Sequence, residues 1–164
     1  MGRYRSAVQD RLVIPAQVLL TSGTERLFRM IGRRVPAALA IQLVIDTGSK
    51  RSSLIPSVLN HLTPPPFALA RVETSLASVQ AELCWVRLEF PASSLSAVPA
   101  VAMARLPLPP SLHGFHGLIG RDLLSQWESF LYEGLRGRFT IRDAQGGFLG
   151  WLKRQMSGIF KDSK

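Results

Sequence analysis

Apolar and polar residues alternate with a period of two along much of this chain, which predicts strands more than helices. The run over 11–20, RLVIPAQVLL, reads as a first strand. A long apolar run over 35–45, with Ile41, Leu43 and Ile45 on one face, reads as a strand buried on at least one side. Alternation returns over 67–90 and predicts a hairpin followed by a strand. There Cys84, Val86, Leu88 and Phe90 share one face, while Arg87 and Glu89 fall on the other. A further strand is predicted over 96–104, and two more over 128–134 and 137–143, around Gly134 to Gly137.

The segments between these runs read as turns and short helices. Residues 21–34 are turn-rich and basic and read as a connection, a hairpin tip. Pro56 suits the first turn of a short helix that continues to Leu62 and is stopped by Pro64, Pro65 and Pro66. Residues 106–117 read as an extended loop, and 121–127 as a second short helix. No internal repeat is visible. Residues 1–10 are polar and expected to be a flexible N-terminal segment. Residues 143–164 read as a basic amphipathic tail, with Leu149, Leu152, Met156 and Ile159 at helical spacing. Docking of that stripe on its own domain or a dimer interface is favoured over a membrane surface. One all-β domain over 11–142 is the resulting expectation, in a chain of 164 residues.

Composition narrows the partners. The formal charge is +9, with basic residues grouped at Arg26, Arg29, Arg33 and Arg34, at Lys50 and Arg51, at Arg136 and Arg138, and at Lys153 and Arg154. The groups are scattered and carry no interleaved aromatics, so a stacking platform for nucleic-acid bases is not indicated. A solvated basic surface is the simpler reading. Nucleic acid or an anionic membrane is a possible partner, not the favoured one. Cys84 is the single cysteine, so no disulfide forms within the chain. With neither an apolar signal segment nor a transmembrane run in view, the expected location is the cytoplasm. Gly2 and Ser6 fit the short myristoylation pattern, a match with little specificity. His113 and His116 have a His-x-x-His spacing, but no Cys or carboxylate cluster completes a metal site, so no metal is expected.

The residue that stands out is Asp46. It ends the apolar run over 35–45 and is followed by Thr47, Gly48 and Ser49. A carboxylate there is costly unless it is hydrogen-bonded or functional. Alone, Asp-Thr-Gly also fits an ordinary strand-to-turn aspartate. Downstream lies a second motif, Leu118-Ile119-Gly120-Arg121-Asp122-Leu123-Leu124. The two motifs in this order resemble the retropepsin family of aspartic peptidases, over about residues 11–142.

The resemblance implies a retropepsin-like acid-protease fold: a closed or partly open β-barrel with two short helices and a flap hairpin. It implies Asp46 as catalytic carboxylate, Thr47 as a lock across a dimer axis, and Gly48 as a point of close backbone approach. Ser49 stands where many retroviral enzymes carry Ala, and its hydroxyl is expected to donate to the carboxylate. Leu118, Ile119 and Gly120 would pass behind the loop, with Arg121 and Asp122 as ion-pairing and capping residues. Ser75, Leu76, Ala77, Ser78 and Val79 are the candidate flap tip, although residues 71–90 contain no Gly, unlike retroviral flaps. Lys50 and Arg51 replace the acidic residues of retroviral enzymes, which removes their pairing with Arg121.

Peptide hydrolysis of this type needs two close carboxylates sharing one proton, because like charges so near cannot both ionise. One chain offers one such motif, so a homodimer acting on a peptide or protein substrate is implied, with no cofactor. A catalytically silent dimerisation or binding module of the same fold is the alternative.

Overall fold

A computed structural model of the chain describes residues 2–7, 11–74 and 77–143. The predicted tail beyond Asp143, and Ser75 and Leu76 of the predicted flap tip, lie outside the described residues. Ten strands are described: β1 (Arg3–Ala7), β2 (Val13–Leu20), β3 (Leu39–Ile45), β4 (Ser53–Leu54), β5 (Pro66–Glu73), β6 (Ser78–Glu89), β7 (Val98–Arg105), β8 (Gly117–Ile119), β9 (Ser129–Glu133) and β10 (Arg138–Arg142). With them come three helices, α1 (Ser22–Met30), α2 (Pro56–Leu62) and α3 (Arg121–Leu124).

Six strands close on themselves in the order β2-β3-β8-β4-β7-β6, because β6 also pairs with β2. β5 extends β6 as the outer strand of a hairpin, with Val72 opposite Val79 and Glu73 opposite Ser78. A smaller sheet, β1-β10-β9, stands apart from the ring. The fold is thus mostly β, a closed six-strand barrel with a few short helices.

Strand patterning explains the core. Along β2, Ile14, Ala16, Val18 and Leu20 point inward and are buried, while the residues between them are partly exposed. β3 runs between β2 and the parallel strand β8, and its last three residues, Leu43, Val44 and Ile45, are all buried. Cys84, Val86, Leu88 and Phe90 share the inner face, as their spacing predicted. α2 begins at Pro56 and ends at Thr63, whose φ of 49° is left-handed, so the helix stops before the prolines. Its Val58, Leu59 and Leu62 join the barrel core.

Three expectations change. Residues 21–34 contain a helix and not a hairpin tip: Thr21 caps α1 by accepting from the Thr24 amide. Residues 3–7 are paired as β1 along β10, from Arg3 opposite Arg142 to Ala7 opposite Arg138, in place of a loose segment. That strand is secured at Asp143, a buried carboxylate that accepts from the Gly2 and Ser96 amides. The second predicted helix is shorter than its 121–127 span, with α3 ending at Leu124 and turns continuing to Trp127.

Candidate active site

Asp46 follows β3 directly, and the strand's pairing sets its backbone. β8 lies parallel to β3 with Leu43 opposite Gly117, Val44 opposite Leu118 and Ile45 opposite Ile119. The Asp46 amide continues that ladder by donating to the Ile119 carbonyl at 2.9 Å. The chain then turns, with the Ser49 amide donating to the Asp46 carbonyl at 3.2 Å and the Gly48 amide to Asp46 Oδ1 at 2.9 Å. Asp46 is half-buried at this turn, and Thr47 and Gly48 are exposed. A Cβ at Gly48 would sit 3.2 Å from Asp46 Oδ1, so the glycine lets the turn press against the carboxylate.

Ser49 does not serve the carboxylate. Its hydroxyl donates to the Arg51 carbonyl at 2.8 Å, within the loop that leads to β4. Arg121 and Asp122 reach the loop from the other motif by backbone: the Arg121 amide donates to the Ser49 carbonyl at 2.9 Å and the Asp122 amide to the Lys50 carbonyl at 3.3 Å.

The Asp122 carboxylate is a clamp. It accepts from the Ser52 amide at 2.9 and 3.0 Å, from the Ser52 hydroxyl at 2.6 Å, and from the Leu123 amide at 2.8 Å. Ser52 is fully buried, and its hydroxyl oxygen in turn accepts from the Gly120 amide at 3.0 Å. Gly120 presses so closely on the chain that an added Cβ would lie 2.6 Å from the Arg51 carbonyl carbon. The ion-pairing expected of Arg121 is not seen: among the described residues it forms no salt bridge, and Asp122 is taken up by Ser52.

The structure therefore brings together Asp46, Thr47, Gly48 and Ser49 with Leu118, Ile119, Gly120, Arg121 and Asp122. Of the candidate flap tip, only Ala77, Ser78 and Val79 are among the described residues. Ala77, Ser78 and Val79 lie at the β5–β6 turn, where the Ala77 carbonyl accepts from the Thr74 amide at 2.9 Å. Among the described residues no hydrogen bond links them to the Asp46 loop. His116 is held at the β3 edge, its Nδ1 accepting from the Gln42 amide at 3.1 Å while its own amide donates to the Gln42 carbonyl at 2.9 Å. Ser52 is the residue that the sequence reading missed, and no local signal marks it.

Three described aspartates can now be compared. Asp122 and Asp143 have both carboxylate oxygens occupied by amide or hydroxyl donors. Asp46 has one oxygen held by Gly48, and among the described residues nothing donates to the other.

The fold carrying this loop has a solved counterpart. The chain is similar to a retropepsin-like aspartic protease from Rickettsia conorii, with 13% identity and a TM-score of 0.55, over 89% of this chain and 95% of that one. At that identity the likeness is one of fold, the same mostly β barrel. No protein-family model matches the chain, and no curated protein matches it.

Proposed function

We propose that this chain is an aspartic endopeptidase that works as a homodimer, activating water between the Asp46 carboxylates of two copies. The observation that carries the reading is the free oxygen of Asp46. It is a carboxylate fixed by backbone bonds on an exposed turn at the end of a buried strand, with one oxygen that no group among the described residues donates to. Among the described residues, Asp122 and Asp143 have both oxygens taken by donors, and Asp46 does not.

One ionised Asp46 accepts a proton from the attacking water. The protonated partner carboxyl donates to the carbonyl oxygen of the peptide bond as the water oxygen bonds to its carbon. The tetrahedral adduct then collapses: one hydroxyl of the adduct gives its proton to the ionised carboxylate as its oxygen becomes the carbonyl of the acid, the carbon–nitrogen bond breaks, and the amine nitrogen takes the proton held by the other carboxyl, which leaves the dyad with one proton again. One chain supplies one carboxylate of this kind, so the second comes from a twofold-related copy.

A peptide-library digest of wild-type and Asp46→Asn protein tests this, with a statine-type inhibitor as a control. The wild type should cleave, the variant should not, and activity should fall on dilution together with the dimer. Full cleavage by Asp46→Asn, or by a strictly monomeric form, would refute the dyad. Peptide binding without cleavage by the wild type would replace it with the silent-module reading, which the absence of glycine over 71–90 favours.

A further inference from the structure

The second face of interest lies on α1. Its Leu27, Met30 and Ile31 stand at i, i+3 and i+4, so they form one stripe. That stripe faces solvent, with Leu27 41%, Met30 76% and Ile31 61% exposed, while Phe28 on the other side is buried in the barrel core. Arg26 flanks the stripe along the helix, Arg33 and Arg34 follow it just past the helix end, and Arg29 lies on the opposite side with Glu25; all four are exposed.

The local acid does not offset them. Glu25 is shared between Arg29 and Arg87, each at 3.4 Å. Arg33 lies over the Phe28 ring at 4.5 Å and donates to the Thr63 hydroxyl at 2.9 Å, so it is held at the surface beside the helix. Arg26 and Arg34 form no salt bridge among the described residues.

We infer that this face docks on an anionic lipid bilayer. Aliphatic side chains flanked by Arg26 and Arg34 match a negatively charged surface with an apolar interior, since the arginines meet headgroups while the stripe enters the interface. A single strand would be expected to stack its bases on aromatic side chains, which the stripe lacks, and a duplex would meet the arginines through its phosphates and leave the aliphatic stripe unused. A nine-residue helix is too short to span, so contact is along the surface.

The docking face is remote from the peptidase loop. β2 and β3 are antiparallel, with Val18 opposite Leu39 and Val13 opposite Val44. α1 follows the Leu20 end of β2, whereas Asp46 follows the opposite end of β3. The seven residues of β3 span roughly 20 Å, so the loop is held at the far end of the barrel, away from the lipid. This inference does not depend on the proposed peptidase activity.

The test is co-sedimentation of the full chain with vesicles of phosphatidylcholine, alone or with about a third phosphatidylglycerol. Binding is expected to the anionic vesicles only, and to weaken with salt. Arg26→Gln/Arg34→Gln should cut partitioning by more than tenfold, at about fivefold per charge. Met30→Gln/Ile31→Gln should weaken it with the charges intact. Both pairs are exposed, so unchanged thermal midpoints would show that the variants are folded. Equal binding to neutral vesicles, no loss in either variant, or binding to duplex DNA in place of vesicles would each overturn the assignment.

Discussion

Replacing Asp122 with alanine separates the clamp from the chemistry it supports. The carboxylate serves three donors: the Ser52 amide, the Ser52 hydroxyl and the Leu123 amide. Ser52 is fully buried, so its amide has no water to turn to when the acceptor is removed. A hydrogen bond to a charged group contributes about 1.5–3 kcal/mol, and an orphaned buried donor costs about 1–3 kcal/mol. The bonds share one group and do not add, and Leu123, next to a partly exposed residue, can recover some of its loss. Asp122→Ala should therefore destabilise the fold by about 3–5 kcal/mol. Asp122→Asn keeps an acceptor at the Oδ1 position, where three of the bonds converge, and should cost about 1–2 kcal/mol.

Urea unfolding at one fixed protein concentration measures both, which keeps any dimer contribution constant. A Ser52→Ala partner completes a double-mutant cycle, with an expected coupling of about 1–3 kcal/mol. If Asp122→Ala costs less than about 1 kcal/mol, or if the asparagine variant is as unstable as the alanine one, the clamp is misread. The variant should also lose activity under conditions where it is still folded. The loop from Ser49 to Ser52 would then lose its side-chain clamp and keep backbone bonds such as those from the Arg121 and Asp122 amides and from the Ala104 amide to the Ser52 carbonyl.

Other perturbations follow from the same contacts. Gly120→Ala would set a Cβ 2.6–3.0 Å from the backbone of Arg51, and because neither chain can yield without disturbing the clamp, thermal melting should show a loss of about 3 kcal/mol. Asp143 is raised by burial, but bonds from Ser96 and Gly2 outweigh this and hold it below its ordinary 3.8. Its stabilisation is therefore present above that value and lost as pH falls through the lower folded value, so Asp143→Asn should flatten the urea midpoint's acid dependence there. Burial pushes the Cys84 thiol up, against the opposing charge of Arg105, and it is fully buried, so a thiol reagent should label it only after unfolding. Lys50 and Arg51 are exposed beside the loop without a salt bridge among the described residues, so peptides with Asp or Glu flanking the cleaved bond should be cut faster; equal rates for acidic and basic series would refute this.

The longer strands were legible where one face is buried, because burial then repeats every second residue, whereas the three-residue β8 has that period but is too short to show it. β2 and β6 show this directly. α2 was legible from punctuation, a proline at its start and three beyond its end. α1 was not, because it buries only Phe28 and turns its apolar stripe outward; no period of buried residues marks it. β1 and the two-residue β4 escaped for another reason. Their pairing partners, β10, β7 and β8, are distant in sequence, and neither strand carries a pattern of its own.

The same distinction runs through the site. Asp46 was recognisable because an acid at the end of an apolar strand is energetically conspicuous. How Asp122 is held was not, since ion-pairing and capping were expected of it and not a clamp on Ser52. What separates them is Ser52, 70 residues from Asp122, whose amide and hydroxyl saturate one carboxylate and leave the other untouched. The spare oxygen of Asp46 is a property of the assembled barrel. A candidate catalytic acid is better identified by counting the donors that the fold has already committed elsewhere than by its motif alone.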